Sequence, residues 1–126
     1  MSKKVLIVED EKLVAKAYSD HLERKGYEVD IATDGESGLA KIKENKPDLI
    51  LLDILMPKKG GILVLKEIRL NKELSNIPVI VLTNLGGFKN ISEALSAGAI
   101  YYFIKSDTSL DEINSQIDKI LTEEKV

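Results

Sequence analysis

The sequence predicts an α/β fold in which helices pack on both faces of a parallel β-sheet. Short aliphatic runs recur along the 126 residues, and segments with the helical spacing of apolar residues fill the gaps between them. Strand and helix alternate five times, which is the pattern of parallel strands joined by helical crossovers. Four runs are continuous, as expected of strands buried on both faces, and they cover residues 5–8, 49–52, 79–82 and 100–104.

A further strand is predicted at residues 27–31, where apolar and charged side chains alternate. Such alternation is typical of a strand with one exposed face, so we expect this strand at an edge of the sheet. The pattern alone leaves two strand orders open, Rossmann-like and flavodoxin-like. Five strands favour the doubly wound, flavodoxin-like order 2-1-3-4-5.

Two of the predicted helices are followed by glycine, which adopts the left-handed conformation common after a helix C-terminus. Gly26 is placed to end the first helix, whose apolar residues include Leu13, Val14, Ala17 and Leu22. Gly98 is placed to end a later helix, which carries Ile91, Ala94 and Leu95.

The last helix has the clearest signals in the sequence. Ser109 and Glu112 have the spacing of a capping box at its start. Its apolar stripe, expected to close near the end of the chain, consists of Leu110, Ile113, Ile117, Ile120 and Leu121.

Composition predicts one soluble domain spanning residues 1–126. A net charge of −3 argues against direct nucleic-acid binding, and the absence of cysteine excludes disulfides and thiolate metal sites. The single histidine, His21, is interpreted as a surface or boundary residue without a chemical role. The apolar stretch near the N-terminus is too short for a signal peptide or a membrane span, so we expect a cytoplasmic protein with no membrane partner.

Polar residues follow the aliphatic runs, and in an open parallel sheet these positions meet at one edge. They are Glu9, Asp10 and Glu11 after the first strand, Asp53 after the third, Thr83 after the fourth and Lys105 after the fifth. Crowded carboxylates repel one another unless a positive charge lies among them. Mg²⁺ fits this role, because it prefers oxygen ligands and is commonly held by one or two carboxylates.

With a cation in place, a carboxylate at this edge can act as a nucleophile toward a phosphoryl group. Phosphoryl transfer requires mainly positioning and charge neutralisation at the phosphoryl oxygens. The metal can neutralise one oxygen, the Lys105 ammonium a second and the Thr83 hydroxyl a third. The residues at the sheet edge therefore predict a site for an aspartyl phosphate.

Nearly the whole chain resembles the receiver domain of two-component response regulators. The matching features are the acidic pair Glu9-Asp10, the segment from Leu52 through Asp53 to Pro57 with Gly60-Gly61 beyond it, Thr83 and Lys105. The resemblance implies that Asp53 is the phosphoacceptor. It implies that Asp10, Asp53 and the backbone carbonyl of Leu55 bind Mg²⁺, with Mn²⁺ as a substitute, and that Glu9 acts through metal-bound water.

The resemblance also implies a signalling role rather than an enzymatic one. A histidine kinase or histidine phosphotransfer protein would supply the phosphoryl group, and a downstream protein or a fused output domain would respond. Thr83 and Tyr102 would be the switch pair. We expect residues 84–88 to move and to alter the face formed by the fourth helix, fifth strand and fifth helix.

The sequence departs from the receiver pattern after three of the site residues. Ser106 follows Lys105 where proline is common, and Asn84 follows Thr83 where a small residue is typical. The positions two residues after Asp53 and Thr83 are Leu55 and Leu85, which we expect to shield the acyl phosphate from water.

Three other functions are alternatives to the receiver interpretation. A haloacid-dehalogenase-type phosphatase would carry a second aspartate where Leu55 stands. A flavin- or dinucleotide-binding domain needs a glycine- or hydroxyl-rich phosphate loop where Glu9-Asp10-Glu11-Lys12 stands. A non-phosphorylated interaction module of the same fold stays open as an alternative.

Overall fold

Five parallel strands form one sheet in the computed structural model, which describes residues 2–56 and 59–123. The elements, in chain order, are β1 (Lys4–Val8), α1 (Lys12–Arg24), β2 (Glu28–Ala32), α2 (Gly35–Asn45), β3 (Leu49–Leu52), α3 (Gly61–Leu70), β4 (Val79–Thr83), α4 (Phe88–Ser96), β5 (Tyr101–Ile104), a 3₁₀ turn (Lys105–Asp107) and α5 (Leu110–Glu123). None of the helices in the described residues is both long and apolar enough to cross a membrane.

The strand order is β2-β1-β3-β4-β5, with every neighbouring pair parallel, which confirms the predicted flavodoxin-like order. The central strands β1, β3 and β4 are almost wholly buried. Their alternate side chains enter two separate hydrophobic clusters, because successive residues of a strand point to opposite faces. Sheet residues pack with α2, α3 and α4 on one face and with α1 and α5 on the other.

The fifth strand differs from the sequence prediction. We expected residues 100–104 to be buried on both faces, but β5 spans Tyr101–Ile104 and its side chains are only partly buried, with Tyr101 exposed. The reason is topological: β5 lies at the open edge of the sheet, beyond β4. An apolar run alone does not distinguish a central strand from an edge strand whose outer surface carries aromatic residues.

The helix ends agree with the predicted signals. Gly26 and Gly98 both have positive φ, at 98° and 116°, directly after the cap residues of α1 and α4. Ser109 and Glu112 form the capping box, each backbone N–H donating to the other's side-chain oxygen over 3.1 Å. The helix α2 ends without glycine, because Lys46 takes the left-handed position at φ 44°.

The buried face of α1 differs from the residues that the sequence suggested. Leu22 is buried, but Leu13 is 85% exposed and Ala17 also faces solvent. The residues that α1 buries are Ala15, Tyr18, Ser19 and Leu22. The side chain of His21 is largely covered, and its Nε2 atom lies 3.4 Å from Asp111 Oδ1 of α5.

Candidate functional site

The ends of four strands place the predicted site residues along one edge of the sheet. Glu9 directly follows β1, Asp53 directly follows β3, Thr83 is the last residue of β4, and Lys105 directly follows β5. Backbone bonds extend the ladder to the two acids: the Glu9 N–H donates to Ala32 O over 2.9 Å, and the Asp53 N–H donates to Val8 O over 3.0 Å. The sheet therefore fixes the backbone from which these acids project.

Three acids gather at this edge. Carboxylate oxygens of Glu9, Asp10 and Asp53 all lie within 4.8 Å of one another. Glu9 and Asp53 are buried, whereas Asp10 is more open to solvent. Backbone donors hold the buried pair, since the Glu11 N–H donates to Glu9 Oε2 and the Leu55 N–H donates to Asp53 Oδ1, each over 3.0 Å.

Lys105 bridges the two buried acids. Its Nζ donates to Glu9 Oε1 and, over 3.0 Å, to Asp53 Oδ2. The exposed fractions of the three side chains are 8%, 3% and 6%, so little water screens their charges. Burial alone would lower the pKa of Lys105, but its hydrogen bonds to Glu9 and Asp53 outweigh burial and raise the pKa above its ordinary value. The ammonium therefore stays charged at neutral pH.

Glu9 has a pKa that is raised above its ordinary value. Burial raises the pKa of its carboxyl, and the nearby Asp53 charge raises it further. The hydrogen bonds from Lys105 and from the Glu11 N–H act in the opposite direction without cancelling burial. A carboxylate in this position gains from any additional cation, so the acids fit a divalent ion with oxygen ligands such as Mg²⁺.

The start of α3 packs closely against the backbone of the phosphoacceptor candidate. A Cβ atom added at Gly61 would lie 2.6 Å from the Asp53 carbonyl oxygen and 2.6 Å from Ile54 Cα. Only glycine therefore lets the start of α3 come this close to the site. Pro57, which belongs to the predicted motif, lies outside the described residues, and the role of the Leu55 carbonyl stays a prediction.

The predicted switch residues lie next to the acids but make different contacts. The Thr83 side chain is fully buried, and its hydroxyl accepts a bond from the Leu85 N–H over 3.3 Å. The Tyr102 hydroxyl donates to the Leu85 carbonyl, and partial burial raises the pKa of this tyrosine. Both side chains thus contact Leu85 in the β4–α4 loop. Nothing in the sequence indicated this shared contact.

The turn after Lys105 shows how the chain accommodates serine in place of proline. The described residues contain no cis peptide bond, and Lys105–Asp107 form a 3₁₀ turn. The Ser106 N–H donates to Asn84 Oδ1 over 3.1 Å. The loop therefore follows a path in which the two unusual residues are hydrogen-bonded to each other.

The two leucines predicted to shield the phosphate differ in their surroundings. Leu55 is 53% exposed, whereas Leu85 is partly buried and packs against the core on the side of α2, α3 and α4. Shielding of a phosphoryl group by either side chain stays a prediction. The same holds for the individual chemical roles of the site residues.

The strand order and the acid–lysine cluster at the carboxyl ends of the strands define the class of protein, an α/β signalling domain of the receiver type. Residues 5–118 match the family described as the response regulator receiver domain, and the chain belongs to this family. Receiver domains of two-component response regulators are phosphorylation-dependent signalling switches.

Individual relatives agree with this assignment. The chain is 39% identical over 121 residues to the alkaline phosphatase synthesis transcriptional regulatory protein PhoP of Bacillus subtilis, covering 96% of this chain and 49% of PhoP. Among solved structures, a CheY-like receiver domain protein from Methanospirillum hungatei has a TM-score of 0.91 and 30% identity, with 99% of this chain and 98% of that chain covered.

A third relative was solved with a metal. The Mn²⁺-bound form of the response regulator Rcp1 has a TM-score of 0.78 and 32% identity, covering 90% of this chain and 88% of that one. The present chain spans about half the length of the curated relatives it matches, for example 49% of PhoP.

Proposed function

We propose that Asp53 accepts a phosphoryl group in a Mg²⁺-dependent reaction and that the chain works as a switch rather than as an enzyme. The observation that carries the proposal is the meeting of Glu9, Asp10, Asp53 and Lys105 at one point of the sheet edge, although they are spread over nearly a hundred positions. Among them, Asp53 is buried at the end of a central strand and is bound by both Lys105 and the Leu55 N–H.

The acids would hold the divalent ion. We infer that Asp10 and Asp53 bind it directly together with the Leu55 carbonyl, and that Glu9 contacts it through a bound water. When bound, the ion neutralises charge on the phosphoryl oxygens. The Mn²⁺-bound Rcp1 structure supports the expectation that Mn²⁺ can substitute for Mg²⁺.

The protein groups would supply nucleophile and electrostatic stabilisation. An Asp53 carboxylate oxygen forms a bond to phosphorus, while the bond between phosphorus and the imidazole nitrogen of a phosphohistidine donor breaks. Lys105, already 3.0 Å from Asp53 Oδ2, is placed to follow the charge onto a phosphoryl oxygen. The Thr83 hydroxyl would then donate to another phosphoryl oxygen, giving up its contact with the Leu85 N–H.

Movement of Thr83 would be transmitted through residues 84–88. The Leu85 carbonyl accepts a hydrogen bond from the Tyr102 hydroxyl. A shift of this loop would therefore change the position of the tyrosine ring on β5. We infer that the face formed by α4, β5 and α5 changes as a result and that a partner distinguishes the two forms. Charge-assisted bonds of about 1.5–3 kcal/mol each are large enough to drive a shift of this kind.

The partners follow from the chemistry of the transfer. A histidine kinase or a histidine phosphotransfer protein would be the donor. PhoP is a transcriptional regulatory protein about twice as long as the matched segment, which supports a fused output domain as the target of the signal. A separate downstream protein is the alternative target. We expect no direct contact of residues 1–126 with nucleic acid, in keeping with their net charge of −3.

The proposal is tested by incubating the protein with Mg²⁺ and an acyl phosphate, followed by intact-mass measurement. We expect one phosphoryl adduct on the wild type and none on Asp53→Ala. Asp107→Asn serves as the matched control, because Asp107 is an exposed carboxylate in the turn after Lys105. Equal labelling of wild type and Asp53→Ala, or no labelling of the wild type, would contradict the proposal.

A further inference from the structure

Two of the residues at which the site departs from the receiver pattern form a single structural feature. Asn84 stands where a small side chain is typical, Ser106 stands where proline is typical, and the Ser106 N–H donates to Asn84 Oδ1 over 3.1 Å. A proline at position 106 would have no N–H to donate. A small apolar side chain at position 84 would have no oxygen to accept. The bond therefore requires both departures.

The bond joins the neighbours of two phosphoryl-contacting candidates. Asn84 directly follows Thr83, and Ser106 directly follows Lys105. The parallel strands β4 and β5 pair up to Thr83 and Ile104, so the side chain of Asn84 continues the pairing beyond the last residues of the ladder. The hydroxyl of Thr83 and the ammonium of Lys105 thus project from two strand ends that are tied together just past the sheet.

Other side chains also hold the β4–α4 loop. The Tyr102 hydroxyl donates to the Leu85 carbonyl, and Asn90 Nδ2 donates to the Gly86 carbonyl over 2.8 Å. Those two bonds connect the loop to β5 and to the start of α4. The bond from Asn84, in contrast, connects it to the 3₁₀ turn that carries Lys105.

We propose that the Asn84–Ser106 bond is a clamp that holds Thr83 and Lys105 in one relative position, which makes Asn84 a positioning residue for phosphoryl binding. The inference rests on the proposed role of Asp53. With the clamp closed, both donors approach a phosphoryl group from a preformed arrangement. Without it, the loop and the turn must be ordered during binding, and this ordering reduces affinity.

The bond itself is tested by amide hydrogen exchange, which does not depend on phosphorylation. We expect the Ser106 amide to exchange faster in Asn84→Ala than in the wild type, because its acceptor is lost. Ser106→Ala is the matched control, since it keeps the backbone N–H and should keep the protection at position 106. An unchanged exchange rate in Asn84→Ala would overturn the proposal.

The positioning role is tested by a double-mutant cycle on the affinity for beryllofluoride in the presence of Mg²⁺. We expect Asn84→Ala and Ser106→Pro each to weaken binding about twofold to fivefold, the effect of one solvent-accessible hydrogen bond, and Ser106→Ala to bind like the wild type. The double variant should bind beryllofluoride as tightly as the single variant with the lower affinity, because the two substitutions remove the same hydrogen bond.

The outcomes separate the clamp from the proposed function. Single effects that multiply in the double variant would overturn the clamp while leaving the role of Asp53 intact. If Ser106→Pro fails to fold, Asn84→Ala decides alone, and an affinity equal to that of the wild type overturns the clamp. Failure of the wild type to bind beryllofluoride would contradict the proposed function, and the clamp with it.

Discussion

Two halves of the sheet edge, built from neighbouring strands, are held in different ways. The acid half comprises Glu9, Asp10 and Asp53 at the ends of β1 and β3, and its buried carboxylates are fixed by backbone N–H groups and by Lys105. The switch half comprises Thr83 at the end of β4, residues 84–87 after it and Tyr102 within β5. Its loop is held by four hydrogen bonds between side chains and backbone, two at Leu85, one at Gly86 and one at Ser106.

Under the proposed function, the two halves would have different roles. Charge concentrated on a rigid backbone suits the binding of a cation and the transfer of a phosphoryl group, which both require fixed geometry. A loop held by a few neutral hydrogen bonds, each worth about 1 kcal/mol, can rearrange when a new charge appears next to it. Lys105 belongs to both halves, because it starts at the end of β5 and reaches Glu9 and Asp53.

The largest expected effect comes from removing the charge that joins the halves. In Lys105→Met the buried carboxylates of Glu9 and Asp53 lose their cation, so we expect the free energy of unfolding without divalent ions to fall by about 3–5 kcal/mol. Mg²⁺ should restore part of the loss, because it binds the folded acids. Urea unfolding with and without Mg²⁺ measures both effects.

Lys119→Met is the matched control for this prediction, since Lys119 is exposed on α5. If Lys105→Met without Mg²⁺ is as stable as Lys119→Met, the acid half does not depend on the bridging ammonium. That result would contradict the statement that Lys105 holds the buried carboxylates in place.

A smaller effect is expected when the switch half is changed alone. Thr83→Ala removes the buried hydroxyl that accepts the Leu85 N–H but leaves the acids in place. We expect Asp53 to accept a phosphoryl group still, while the amide chemical-shift changes that beryllofluoride induces at residues 84–88 shrink. Two-dimensional amide NMR spectra of wild type, Thr83→Ala and the exposed control Thr122→Ala measure this. Undiminished shifts in Thr83→Ala would show that the loop responds without Thr83.

The smallest effect concerns the opposite edge of the sheet, where Tyr27, which directly precedes β2, contacts α5. The Tyr27 hydroxyl donates a hydrogen bond to Asp118. Burial, and to a smaller extent this bond, raise the pKa of Tyr27 above its ordinary value of 10. A group whose pKa is raised on folding contributes stability that is lost as pH rises through the folded value. We therefore expect Tyr27→Phe to lose about 1 kcal/mol at neutral pH and to show a weaker decline in stability above pH 10.

Chemical denaturation between pH 7 and pH 11 measures that difference, with Tyr101→Phe as the control. Tyr101 is exposed on β5, where its ring stacks on Phe103 at a centroid distance of 6.1 Å. Equal slopes for Tyr27→Phe and wild type above pH 10 would show that the Tyr27 bond does not contribute to alkaline stability.

Much of the fold could be predicted because it depends on periodic features of the sequence. The alternation of strands and helices follows from the spacing of apolar residues, and the number of strands favoured the observed strand order over the Rossmann-like one. The capping box and the positions of Gly26 and Gly98 follow from local backbone chemistry. The convergence of Glu9, Asp10, Asp53 and Lys105 was predictable as well, since strand ends of one parallel sheet share an edge.

What the sequence did not predict depends on contacts between distant segments. The partial exposure of β5 results from its place beyond β4, and no residue of an apolar run signals that place. The bond between Asn84 and Ser106 joins residues 22 positions apart, so each looked like an isolated departure from the receiver pattern. The left-handed backbone conformation after α2 was not predictable either, because the residue that adopts it is Lys46 rather than a glycine.

A crystal structure with Mn²⁺ and beryllofluoride would show whether the acids hold a metal and whether Asp53 is the phosphoacceptor, with the metal located by its anomalous scattering. We expect a manganese peak at Asp10 and Asp53, beryllium bonded to an Asp53 oxygen, and fluorine atoms contacted by Lys105 and Thr83. A manganese peak away from these acids, or beryllofluoride bonded to any other carboxylate, would contradict this expectation.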